Sequence, residues 1–299
     1  MKTRIIGFIL ILAAIVIGIV SVIQYGPRLR QYGREQADYK ELQDEYTKDP
    51  EKIDTEEYKP ETDEEGSETD QEKSSNKDTK EASKHETSVY VSLMKELGME
   101  DKINDYAPIE VDGKKLKEKN PDYIGWIYVP GTDISYPVVK SSDNQDYVHT
   151  NFNRQYSYAG TIFMDSDYKG NYELHNTVLY GHNMNDGSMF AQLKGYFKEE
   201  FAKSHPIFWF ITPEETRLYR VFSVSRPYPT DKNHYAVEGT DYNTTEEFGT
   251  IVQNMIKDSI YDFWSNDVNG NSVIMGLSTC ISPSTEERCM VEGVFVGKL

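Results

Sequence analysis

Ser272-Val273-Ile274-Met275-Gly276-Leu277-Ser278-Thr279-Cys280 is the stretch from which the rest of the chain is read. Its first four residues form an apolar run that reads as a buried strand. The run ends at a thiol, and a thiol at a strand–loop edge can act as a nucleophile. Such a nucleophile needs a group that controls its proton, a donor for the oxyanion that forms on attack, and a groove for the acyl donor. His182, in Tyr180-Gly181-His182, suits the first task, because imidazole titrates near neutrality. Arg288 suits the second, as a permanent cation with a planar fork of donors. Arg288 opens a strand over 288–296. If that strand and 272–277 are hairpin neighbours, Cys280 and Arg288 flank one loop and share one rim.

Each residue also has a plainer reading. A free cysteine on an apolar strand is usually a small buried hydrophobe. His182 is one of six histidines, the others being His85, His149, His175, His205 and His234. An arginine at a strand start is usually a surface residue. Spacing alone leaves these alternatives open.

Upstream, short runs rich in Val, Ile, Tyr and Phe alternate with turn residues. Strands are expected at 124–129, 134–139, 160–164, 177–180, 207–211 and 215–225, in addition to 272–277 and 288–296. That pattern favours a closed or sandwiched all-β core. Helices are expected at 188–196 and 245–259, the latter with Phe248, Ile251, Val252, Met255 and Ile256 on one face. Two more precede the strands, one carrying Val89, Leu93, Met94 and Leu97 up to Gly98, the other containing Leu116.

The first third has a different character. Ile5 to Ile23 is nineteen residues without a charge. As a helix it spans about 28 Å, enough for a membrane anchor and too long for a cleaved leader. Lys2 and Arg4 precede it and Arg28, Arg30 and Arg34 follow, so charge does not orient it. Residues 31–46 can continue as a juxtamembrane helix, with Tyr32, Tyr39, Leu42 and Tyr46 near heptad spacing. Residues 47–87 hold almost nothing apolar and read as a solvated acidic tether. Of the net charge of −18, the segment 35–86 carries −12. With no basic stripe to meet phosphates, nucleic acid is not an expected partner. No metal-ligand spacing, EF-hand loop or phosphate-binding glycine loop is present, so no metal or cofactor is expected.

Leu277-Ser278-Thr279-Cys280 followed by Arg288, with Tyr180-Gly181-His182-Asn183 upstream, resembles the sortase signature. Further blocks resemble class B sortases in the right order: Asn120 to Ile127, Ile134 to Val139, Asp143-Asn144, Gly160 to Asp165, and Gly187-Ser188-Met189-Phe190. The likeness covers 88–299.

The resemblance implies a mainly β fold: a closed eight-stranded barrel with N-terminal helices and a helix before the catalytic strand. It implies four regions: a cytoplasmic N-terminus at 1–4, a transmembrane anchor at 5–23, a juxtamembrane segment and acidic disordered linker at 24–87, and the catalytic domain at 88–299. It further implies a cysteine transpeptidase on the outer face of a Gram-positive cell membrane, held by a single pass. Cys280 would attack the carbonyl after the threonine of a C-terminal sorting signal, His182 would shuttle the proton, and Arg288 would stabilise the oxyanion. The partners would be secreted proteins bearing that signal and an amine of a lipid-linked peptidoglycan precursor. Asn144 and Val148 match groove-lining positions, and Tyr180, Ser278 and Thr279 are further wall candidates.

A Cys280–Cys289 disulfide would silence the nucleophile. Alternation along the strand instead sends Cys289 to the opposite face from Arg288, as a packing residue. Gly276 and Cys289-Met290 depart from the family pattern. The competing readings are a pilin-polymerising class B sortase, a thiol hydrolase of papain-like logic, and a non-catalytic surface-binding protein. The order of His182 before Cys280, with the cysteine on a strand, argues against the papain-like reading.

Overall fold

The computed structural model describes residues 2–55, 87–168, 172, 175–263 and 265–299, with side chains described from residue 14 onward except at 24, 25, 27–29 and 32. The expected strands form. They are β3 (Tyr123–Tyr128), β4 (Ser135–Val139), β5 (Ile162–Met164), β6 (Asn176–Tyr180), β7 (Ile207–Ile211), β8 (Thr216–Ser225), β9 (Ile274–Cys280) and β10 (Arg288–Lys298). They close into one barrel in the order β10-β8-β7-β3-β4-β5-β6-β9. Two pairings are parallel, β4 with β5 and β6 with β9; the others are antiparallel.

Strand alternation sorts the side chains into two cores. Inward-facing Met275, Leu277, Cys289 and Val291 join Ile127, Phe208 and Phe210 in the barrel interior. Outward-facing Ile274 and Val294 join Phe248, Val252 and Met255 of α5 (Thr245–Asp258) in a second cluster. That helix starts where the sequence marks it: the Thr244 hydroxyl accepts from the Glu247 N–H, and the Glu247 side chain returns to the Thr244 N–H. The helix expected at 188–196 is a 3-10 turn, Ala191–Phe197. The two short helices before the barrel fall at 87–96, ending before Gly98 at φ +67°, and at α3 (Gly113–Lys119), capped by Asp112.

The N-terminal third forms the helix expected to continue over 31–46 but departs from expectation in how that helix docks. α1 (Lys2–Tyr46) is one continuous helix, and β1 (Thr47–Lys48) pairs with β2 (Glu110–Val111). Tyr39 and Leu42 are buried against the barrel, and the Gln43 amide donates to the Ser135 carbonyl. The Glu35 carboxylate, 6% exposed, accepts from the Tyr158 and Ala159 N–H groups at 2.8 and 3.3 Å. The end of α1 is therefore part of the folded body, not of a linker spanning 24–87, and the folded body does not begin at 88. Polar composition hid this: Glu35 and Gln43 dock through hydrogen bonds that no apolar pattern announces. The acidic stretch 56–86 lies outside the described residues. Among the described residues no helix is long and apolar enough to cross a membrane. The expected span at 5–23 begins in residues whose side chains lie outside that description.

Candidate functional site

β9 and β10 are antiparallel neighbours, with Cys280 directly opposite Arg288. The Arg288 Nη1 donates to Cys280 Sγ at 3.0 Å. The shared rim expected from the hairpin is thus formed, with the strand running three residues beyond 277 so that the thiol is its last member. Half-buried Cys280 sits where a strand meets a loop; the Arg288 N–H is fixed by the Pro227 carbonyl at 2.8 Å.

His182 reaches the same rim through the parallel pairing of β6 with β9, which sets Tyr180 opposite Ser278. His182 and Cys280 each lie two residues beyond that pair. Three bonds clamp the ends together. The Gly181 N–H donates to the Ser278 carbonyl at 3.1 Å, the Thr279 hydroxyl to the Gly181 carbonyl at 2.7 Å, and the Asn183 amide to the Ile281 carbonyl at 3.0 Å. Gly181 is dictated by space: a Cβ there would lie 2.4 Å from Ile162 Cδ1 and 2.7 Å from the Phe190 ring.

The imidazole of His182 is held from the other side. Its Nε2 lies 2.8 Å from the Val148 carbonyl. A carbonyl only accepts, so Nε2 carries the hydrogen and Nδ1 is left to exchange a proton in the cleft. The His149 ring stacks on it at 5.6 Å and 18°. Burial lowers the pKa of His182 below the usual histidine range; the Val148 carbonyl opposes this and the neighbouring His149 adds to it. His182 is therefore neutral at rest near pH 7.

The five expected wall residues divide. Asn144 and Tyr180 meet at Asp165: the Asn144 amide donates to Asp165 Oδ1 at 2.9 Å and the Tyr180 hydroxyl to Oδ2 at 2.7 Å. Burial, then Asp165, drives the Tyr180 phenol pKa far up, so it stays a donor. Tyr180 also stacks on Tyr235 at 6.2 Å and 10°. Val148 bears on the site through its backbone oxygen. Ser278 and Thr279, 1% and 2% exposed, correct the expectation: their side chains are buried links rather than open wall. Ser278 Oγ pairs with the Tyr235 hydroxyl at 2.9 Å, and Thr279 points inward to the Gly181 carbonyl.

Cys289 is fully buried, and its thiol donates to the Leu193 carbonyl at 3.3 Å. Burial pushes its pKa up to about 12. Both cysteines are free. The two departures at Gly276 and Met290 answer each other: a Cβ on Gly276 would lie 2.9 Å from Met290 Sδ.

Sequence reasoning missed His149, Asp165 and Tyr235. Asp165 lay inside a quoted block, but nothing along the chain marks the other two, which are placed by long loops. Among the described residues, Asp231, His234 and Asp258 form a set whose ligand atoms lie within 4.8 Å of one another. Burial opposes charge on His234. The Glu292 carboxylate, 2.9 Å from its Nδ1, with Asp231 and Asp258 beyond, outweighs that and raises the pKa to about 9.

The sortase domain family matches residues 127–296. Sortase B of Listeria monocytogenes is 35% identical over 188 residues, covering 62% of this chain and 74% of that protein. Sortase B of Staphylococcus aureus is 33% identical over 169 residues, covering 56% and 66%. Among solved structures, Clostridium perfringens sortase B superposes with a TM-score of 0.56 at 32% identity, covering 61% of this chain and 98% of that one. A Staphylococcus aureus sortase B–substrate complex superposes at 0.56 and 27% identity, covering 75% and 99%. With a thiol, a cation and an imidazole on one barrel rim and these relatives in view, the chain belongs to the sortase family, in its sortase B group of cysteine transpeptidases.

Proposed function

We propose that this protein cleaves a C-terminal sorting signal after threonine and joins the released carboxyl to an amine of a lipid-linked cell-wall precursor. Cys280 is the nucleophile, His182 the proton carrier and Arg288 the oxyanion donor. The observation that carries the reading is the 3.0 Å contact between Arg288 Nη1 and Cys280 Sγ. A guanidinium beside the sulfur stands where an oxyanion would form on the attacked carbonyl.

The steps balance as follows. The Cys280 proton passes to His182 Nδ1 as the sulfur attacks. The S–C bond forms, the peptide C–N bond breaks, and His182 returns its proton to the departing amine. An incoming amine then attacks the thioacyl carbon and gives its proton to His182. The S–C bond breaks, and the thiol is restored. Neutral His182, with Nε2–H tied to Val148, presents the lone pair that the first transfer requires.

The same reading includes a single-pass anchor at 5–23, with 1–4 in the cytoplasm and the barrel outside the cell. Its support is the charge-free run from Ile5 to Ile23 and the exposure of Ile15, Val16, Ile17, Ile19, Val20, Val22 and Ile23 on α1. An anchored barrel meets anchored substrates at raised effective concentration. Protein anchoring rather than pilin polymerisation is the role proposed, and a purely binding role leaves the Arg288–thiol contact without a use.

The test incubates the full chain in detergent micelles with a panel of threonine-containing sorting peptides and amine acceptors. Mass spectrometry is expected to find an acyl adduct on Cys280 that acceptor amine discharges. A panel that is neither cleaved nor trapped on Cys280 overturns the proposal.

A further inference from the structure

His149 has no role in the scheme above, yet its ring lies parallel to that of His182 at 5.6 Å and 18°. It is exposed, whereas His182 is half-buried. The loop that carries it is held firmly. The adjoining Val148 carbonyl accepts from His182 Nε2. Gly160, at φ +59°, lets the loop fold on itself: a Cβ there would lie 2.4 Å from the Val148 oxygen. The Tyr39 hydroxyl donates to the Gly160 carbonyl, and Glu35 receives the Tyr158 and Ala159 N–H groups. His149 itself packs against Tyr156 at 6.1 Å, which meets Tyr158 edge-on at 5.5 Å. One loop thus grips His182 twice, through a backbone oxygen and through a second imidazole.

We infer that His149 is a positioning residue for the proton transfers: stacked on His182, it brings a titratable charge against that ring and so sets the pH window in which His182 works. A packing role alone would be met by any flat ring. A protonated imidazole at 149 would set a positive charge against the stacked ring and oppose a second charge there. The pKa of His182 is lowered first by burial, and His149 adds to that in the direction this requires. The inference rests on the assignment of His182 as proton carrier.

Other titratable or charged groups stand on the elements around the pair. They are Arg154, Tyr156 and Tyr158 on the same loop, Arg34, Glu35 and Asp38 on α1, Asp186 beyond His182, and Cys280 with Arg288 on the β9–β10 rim. All are retained in the variants below, so any movement in the titration belongs to position 149.

The test compares the full chain with its His149→Gln and His149→Arg variants. Residue 149 is exposed, and neither change empties a core. The His182 ring resonances are titrated by NMR in the resting protein, and kcat/KM is followed against pH. The expected order of the His182 midpoint is Gln highest, wild type between, Arg lowest, each step being about half a pH unit at this separation. The acid limb of the rate profile is expected to move in the same order. Identical His182 midpoints in all three proteins overturn the inference, as does a reversed order. The NMR reading needs no turnover. Failure of peptide cleavage therefore counts against the proposed reaction, and an unmoved His182 counts against His149.

Discussion

At the scale of single residues, the two cysteines are the sharpest contrast. They lie nine positions apart, yet one is half-buried under a guanidinium and the other is sealed in the barrel interior. Cys280→Ala is expected to abolish acyl-enzyme formation by mass spectrometry, while Cys289→Ala keeps most of the activity and lowers the melting temperature slightly. The opposite result reverses the assignment. Arg288→Lys retains charge but loses the planar fork, and kcat/KM for a cleaved peptide is expected to fall about 100-fold or more. The close fit of Gly276 to Met290 makes its own prediction. Gly276→Ala overpacks the β9–β10 surface and is expected to cost about 1–3 kcal/mol in urea unfolding, with Met290→Val recovering part of it. If Gly276→Ala is neutral alone, the two departures from the family pattern are independent.

At the scale of elements, β10 links the site to the layer beneath α5. Along its outward face Arg288 meets Cys280, Met290 meets Ser278, and Glu292 holds His234. The folded pKa of His234, about 9, lies above the ordinary histidine value of about 6.5. Stability from this pair is therefore fully present below the unfolded value and lost as pH rises through about 9. Glu292→Gln is expected to cost about 3 kcal/mol near pH 6, because it leaves a buried imidazolium without its partner. The melting-temperature gap to wild type should shrink steadily toward pH 10. A gap that widens with pH shows that the imidazole is neutral when buried. The neighbour of His234 in sequence is Tyr235, whose hydroxyl meets Ser278 two residues before the thiol, so the same element connects stability to the groove.

At the scale of the whole molecule, α1 is the part that changes the picture. Tyr39 and Leu42 bury on the barrel, and Glu35 secures the 148–161 loop that holds His182. A chain that begins at Ser88 lacks this helix. Burial of two such side chains stabilises by about 3 kcal/mol. Such a chain is therefore expected to melt below one that begins at Gln31, and its His182 resonances should shift and broaden. Equal melting curves and superimposable His182 signals mean that the helix does not dock in solution. With α1 docked, the barrel has a fixed attitude to the proposed anchor instead of swinging on a tether that begins at 24.

The sequence by itself determined the eight strands and the helix before the Cys280 strand, and it singled out Cys280, His182 and Arg288 as candidates. These are local: period-two apolar runs, turn residues and a thiol at a strand end are legible within a few positions of one another, and ordered motif blocks add the rest. Only the tertiary structure decided which residues surround them. Asp165 was visible as a block member but not as the joint between Asn144 and Tyr180. Ser278 and Thr279 sit beside Cys280 at positions that read as wall, but alternation and pairing turn both into buried links. His149 stands 33 positions from His182, and Glu35 stands 123 from the amide it secures. Contacts of that separation are made by loops and by polar groups, which carry no periodicity. Their partners are fixed only when closure of the barrel brings the β6–β9 rim, the 148–161 loop and α1 to one place.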